Sequence, residues 1–152
     1  MITNFAPWQQ RAYSLLVDIA RSGRLPHGLL LSGPSMLGKH GVAVTFAKWL
    51  LCEHRDQSEF ACGKCASCHF FSVGTHPDLV HVSREYNDKG NLRTEILVDQ
   101  VRKLGEWFTL TPARFGMQIA IIEPADAFNI SASNALLKTL EEPLPGRLLV
   151  LV

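Results

Sequence analysis

LLLSGPSMLGKH, residues Leu29 to His40, passes from an apolar run into a glycine-bounded loop, and a helical pattern begins near Gly41. Strand, loop and helix in that order make a phosphate-binding loop. Its glycines let backbone N–H groups turn inward around phosphate oxygens, and the positive end of the following helix adds to the field. The spacing Gly33-x4-Gly38-Lys39 is complete, with Lys39 placed to reach terminal phosphates. The next position departs from the pattern. A Ser or Thr hydroxyl is expected there as a ligand for Mg²⁺, a hard cation that prefers oxygen, and His40 offers an imidazole instead.

Strands alternate with helices on both sides of this loop. Pro7 opens a helix whose Trp8, Ala12, Leu15, Leu16 and Ile19 are expected to dock on one face, and Gly23 ends it. The helix from about Gly41 to Leu51 should bury Val42, Phe46, Trp49 and Leu50. Leu79 to Val82 reads as a strand, Glu85 to Arg93 as a mobile polar loop, and Ile96 to Phe108 as a helix with Ile96, Val98, Val101, Leu104 and Phe108 inward. Gln118 to Ile122 is a buried strand. A helix follows from Ser131 to Glu142 with Ala135, Leu136, Leu137 and Leu140 packed, and Arg147 to Val152 is again strand. The expected fold is α/β, a parallel sheet around the P-loop with helices on both faces. A chain of 152 residues suits one domain spanning 1–152. The apolar stretch at Val152 suggests a fragment whose remainder lies beyond it.

Strand QIAII should deliver the acidic group of the nucleotide site, and Glu123 follows it. Many ATPases place a second carboxylate next, to orient the attacking water, and this chain has Pro124. Altered positions at His40 and Pro124 argue against hydrolysis, leave no residue assigned as catalytic, and put ATP or ADP binding in question. Asp126 is read as the N-cap of the helix that follows, and His27 as a loop side chain satisfied locally.

All four cysteines fall in one window, Cys52-x9-Cys62-x2-Cys65-x2-Cys68. Four thiolates at this spacing can close a tetrahedron around Zn²⁺ and leave no open position for water, which makes the module 52–68 a structural zinc site. An iron–sulfur cluster is the competing metal reading, although the Cys-Pro that ends a ferredoxin run is missing. Disulfides suit an oxidising compartment, and no secretory leader or membrane-length apolar run is visible, so the expected location is cytoplasmic. With 47% hydrophobic and 19% charged residues at net charge +1, the chain can bury a core but carries no field for nucleic acid.

Four strings together resemble one family: GPSMLGKH, CGKCASC with Cys52 upstream, GTHPDL from Gly74, and SNALLKTLEEP from Ser133 to Pro143. They are similar to the bacterial clamp-loader subunits of the AAA+ class that serve DNA polymerase III, and GTHPD after the cysteines points to the non-motor kind of subunit. The resemblance implies a RecA-like AAA+ domain, zinc on the four cysteines and a degenerate nucleotide site at Gly33, Gly38, Lys39, His40 and Glu123. It also implies partnership with motor and delta-type subunits and, through them, with the sliding clamp and primed DNA. A trans-acting Arg of the family has no counterpart among these residues and would lie after Val152. Two other readings compete: an active clamp-loader ATPase that tolerates His40, and a binding module centred on the zinc insertion. Glu141 and Glu142, in a last helical turn where the dipole disfavours acids, are read as a partner surface or a solvated face.

Overall fold

The computed structural model describes residues 5–114 and 116–152. Nine helices and strands are named in chain order: α1 (Pro7–Arg21), β1 (Gly28–Leu30), α2 (Lys39–Leu50), α3 (Ala66–Ser72), β2 (Leu79–Val82), α4 (Val98–Thr109), β3 (Gln118–Ile122), α5 (Ile130–Glu141) and β4 (Arg147–Leu151). The strands form one sheet in the order β1-β4-β3-β2, and every pairing is parallel. The β1 to β2 connection, which carries α2 and α3, crosses from one edge of this sheet to the other. The units β2-α4-β3 and β3-α5-β4 then fill the middle.

Alternation along β3 and β4 divides the interior into two layers. Ile119, Ile121, Leu148 and Val150 face one side, where Tyr13, Leu16 and Val17 of α1 pack with Val42, Phe46, Trp49 and Leu50 of α2. Ala120, Ile122 and Leu149 face the other, against Val101, Leu104 and Phe108 of α4 and Ala132 and Leu136 of α5. The expected sheet with helices on both faces is therefore the fold. Every residue of β3 is buried, as a strand covered on both sides must be.

Several local expectations fail. The inward face of α1 is Tyr13, Leu16 and Val17, while Trp8 and Leu15 are 58% and 60% exposed. Tyr13 wins the interior because its ring stacks on Phe60 at 4.9 Å and its hydroxyl donates to the Glu59 carbonyl at 2.7 Å. β1 is Gly28–Leu30, one residue earlier than the leucine run suggested. α2 begins at Lys39, directly after Gly38. Ile96 is fully buried but precedes its helix, pairing with Phe128 in a parallel bridge. In α5, Leu137 is 51% exposed, because the packed stripe is Ala132 and Leu136. Asn129, not Asp126, caps α5: its side chain accepts from Ala132 N–H, while Asp126 sits in a separate 3₁₀ turn at Ala125–Ala127.

Residues 85–93 fold back as a hairpin. Tyr86 pairs with Leu92, Asn87 and Asn91 meet through the backbone at 2.9 Å, and the Asn87 side chain accepts from Lys89 and Asn91 N–H at 3.0 Å. Asn side chains close turns this way.

Candidate functional site

The loop between β1 and α2 opens at the carboxyl ends of the parallel strands, where α/β sheets place their ligands. Gly38 has φ 74° and forms the left-handed corner from which α2 starts. A Cβ there would push the Gln9 amide aside, while the left-handed backbone itself favours glycine. Gln9 itself donates to Leu37 O at 3.1 Å and Gly38 O at 3.4 Å, while its oxygen accepts from Ala6 N–H at 2.8 Å. The start of α1 thus braces the loop.

The expected nucleotide residues do come together. Gly33, Gly38, Lys39, His40 and Glu123 line one open cleft of about 510 Å³. Within it, polar groups have found partners inside the chain. Lys39 Nζ donates to the carbonyls of Gly33 at 2.7 Å and Pro34 at 2.9 Å. His40 Nδ1 contacts Glu123 Oε2 directly. In a magnesium site the side chain after the P-loop lysine and the acid at the end of the strand both turn toward one cation. Here the two side chains close on each other. His81, on β2, lies beside this pair with its ring centre 6.3 Å from that of His40, and burial first, then the neighbouring His40, pushes its pKa down.

The second centre is the cysteine module. Cys52 follows the end of α2, Cys65 caps α3 through a Cys68 N–H bond to its sulfur at 3.3 Å, and Cys68 lies in the first turn of α3. The four sulfurs all lie within 4.8 Å of one another. A tetrahedral metal–thiolate centre with bonds of about 2.3 Å has sulfurs about 3.8 Å apart, so four soft donors at this separation fit a metal ion with little movement. Cys52 Sγ accepts from His54 N–H at 3.4 Å and Cys62 N–H at 3.3 Å. Burial holds the Cys52 and Cys68 thiols up, whereas backbone N–H groups, that of Lys64 foremost, bring Cys62 down to about 6. N–H···S bonds of this kind favour the thiolate that binds metal.

A buried polar chain lies beneath the module and is not foreseen by the sequence. Ser67, His76 and Asp78 are buried. His76 Nε2 meets Ser67 Oγ at 2.6 Å, Ser67 Oγ meets Leu51 O at 2.5 Å, and Asp78 N–H donates to His76 Nδ1 at 3.1 Å. The Asp78 carboxylate accepts from Ala113 and Arg114 N–H, both at 2.7 Å. Arg114 continues to Glu53 at 2.9 Å. The only advance signal was an HPD string after the last cysteine. His27, as expected, finds a local partner, the Leu140 carbonyl at 3.0 Å.

No helix among the described residues is long and apolar enough to cross a membrane. The chain is similar to DNA polymerase III subunit delta' of Pseudomonas aeruginosa, 40% identical over 146 residues, covering 96% of this chain and 42% of that protein. Subunit delta' of Escherichia coli is 32% identical over 137 residues, 90% of this chain and 39% of that one. Subunit tau of Bacillus subtilis is 33% identical over 135 residues, 89% of this chain and 22% of that protein. The chain therefore spans about two fifths of the length of the delta' relatives. The crystal structure of a DNA polymerase III gamma subunit-related protein from Thermotoga maritima superposes with a TM-score of 0.61 over 94% of this chain and 38% of that one, at 17% identity, a likeness of fold. The family model described as "DNA polymerase III, delta subunit" matches residues 8–152, and the chain belongs to that family.

Proposed function

We propose that this chain is the P-loop domain of a non-motor clamp-loader subunit, which keeps the nucleotide fold as a scaffold within the assembly that loads the sliding clamp on primed DNA in the cytoplasm. The carrying observation is the His40–Glu123 contact. Those two positions bind a hydrated magnesium ion in a working site, and here an imidazole and a carboxylate satisfy each other. Pro124 supplies no carboxylate to orient water, so in this reading the chain lacks both the hydroxyl ligand for magnesium and the base that γ-phosphate hydrolysis uses. Its partners in this reading are the motor and delta-type subunits.

Retention of the cleft, of Gly33 and Gly38 and of Lys39 favours nucleotide binding without turnover over complete loss of the site. On the cysteines the reading assigns structural zinc: four thiolates fill a tetrahedral shell, and the turn carrying Cys62 and Cys65 lacks the fourth-cysteine spacing of an iron–sulfur run.

The test is calorimetric titration of the full-length protein with ATP and ADP, with and without Mg²⁺, alongside phosphate release. Binding without turnover, or none, is expected. Introducing His40→Thr and Pro124→Glu together should bring magnesium-dependent binding. Turnover at motor-subunit rates by the unaltered protein would refute the scaffold role.

A further inference from the structure

Ser67 stands between two metal-ligand positions and binds on both sides of a third. It precedes Cys68 and lies two residues after Cys65, yet both its polar groups reach the segment around Cys52. Its N–H donates to Glu53 Oε1 at 3.0 Å, and its hydroxyl lies 2.5 Å from the carbonyl of Leu51. These bonds straddle Cys52, so they tie the end of α2 to the start of α3 through contacts that do not involve the sulfurs.

The neighbouring bonds fix which way the hydroxyl points. His76 Nδ1 accepts from Asp78 N–H, which leaves the ring proton on Nε2. Nε2–H then donates to Ser67 Oγ, and Ser67 is left to donate to Leu51 O. Each member has one available direction, and Ser67 and His76 are 1% and 5% exposed, so water offers little substitute.

We propose that Ser67 and His76 are positioning residues for the metal site: they hold Cys65 and Cys68 at ligating distance from Cys52 in the metal-free protein, and metal affinity depends on them although neither touches the ion. The proposal rests on the metal reading of the cysteines. Partners outside the ligand shell typically alter metal affinity by roughly 10–100-fold, and a loss in that range is expected for Ser67→Ala and His76→Phe. His76→Gln retains an N–H donor near the Nε2 position and should recover most of the affinity.

The experiment is competition for Zn²⁺ between a chromophoric chelator and the full chain, with the absorption spectrum of the Co²⁺-loaded forms and hydrogen exchange of the metal-free forms. Weaker binding by S67A and H76F, partial recovery by H76Q, and an unchanged four-thiolate Co²⁺ spectrum in all three support the proposal. So does exchange protection of α3 that persists in the metal-free wild type and is lost in S67A. Equal zinc affinities in wild type and variants would overturn it, as would a changed Co²⁺ coordination, which would make Ser67 or His76 a ligand. A wild-type chain that takes up neither metal would overturn the metal reading and the proposal together.

Discussion

Asp78→Asn tests the buried polar chain at its most charged member. The Asp78 side chain is almost wholly buried, and its two oxygens accept separately from Ala113 and Arg114 N–H at 2.7 Å. Hydrogen bonds to a charged group contribute about 1.5–3 kcal/mol each, and an unpaired donor left behind costs about 1–3 kcal/mol. Asn keeps one acceptor oxygen and turns an amide NH₂ toward the second backbone N–H. One charge-assisted bond is lost, and two donors are forced together. The expected loss is about 2–4 kcal/mol, a large part of the roughly 5–15 kcal/mol that holds a domain of this kind. In urea, with a slope near 2 kcal/mol/M, the midpoint should fall by about 1–2 M at unchanged slope. The backbone N–H of Asp78 that serves His76 is untouched, so the loss belongs to the carboxylate and the 113–114 loop. A midpoint shift equivalent to less than about 0.5 kcal/mol would refute the reasoning, because it would mean that solvent satisfies those two N–H groups as well as the carboxylate does.

Acid should weaken the fold before the carboxylates titrate. Burial lowers the pKa of His76 and of His81, so as pH drops below about 6.5 the unfolded chain takes up protons that the folded chain refuses. Stability is full above that value and declines as pH falls from it toward the lowered folded pKa values; urea midpoints between pH 8 and 5 measure this, and His76→Gln should flatten part of the slope. Gly38→Ala places a side chain at φ 74° and displaces Gln9 from the loop, at an expected cost of about 1–2 kcal/mol in the same titration. With a metal on the four cysteines, chelation should loosen the turn from Cys62 to Cys65 and leave β3 and β4 intact, because their packed residues lie in cores to which the sulfurs do not contribute. Hydrogen exchange distinguishes that result from global opening. The segment before Cys62 should stay in place as well, since Tyr13, Ser14 and Gln10 of α1 all bond to Glu59.

What could be read from the chain depended on how far apart the cooperating residues lie. The sheet and its two helical layers follow from local periodicity, since Ile119 and Ile121 alternate with Ala120 and Ile122 whatever packs on them. The convergence of the cysteines was legible because three of them lie within seven residues of one another. The face of α1 was misassigned because Trp8 and Leu15 look more apolar than Tyr13, and Tyr13 is buried only because Glu59 and Phe60, far along the chain, receive its hydroxyl and its ring. Asp126 and Asn129 are both acceptable caps, and the choice between them fell to a 3₁₀ turn that no local preference announces. The hairpin at 85–93 did have a signal, an Asn followed three residues later by Gly, but polarity was weighed above turn chemistry. The Ser67–His76–Asp78 chain bonds to Arg114, 36 residues after Asp78, which in turn reaches Glu53, 61 residues away, and no spacing rule reaches that far.

The two centres differ in what satisfies their polar groups, and that difference bears on function. A hydrolytic P-loop leaves donors and acceptors aimed at a ligand, and its electrostatic power comes from groups held ready for charge that arrives later. In this cleft Lys39 is held by Gly33 and Pro34 carbonyls, and His40 and Glu123 hold each other. Any polyphosphate that enters must first displace those internal bonds, so binding energy is consumed before chemistry begins. The cysteine centre has the opposite arrangement: surrounding bonds through Ser67, Glu53 and the backbone N–H groups are satisfied internally, while the four sulfurs converge on one point. Rigid support is therefore concentrated where a metal would be kept for the life of the protein, and self-satisfaction where a motor would cycle its ligand. That distribution is the one the proposed non-motor role requires.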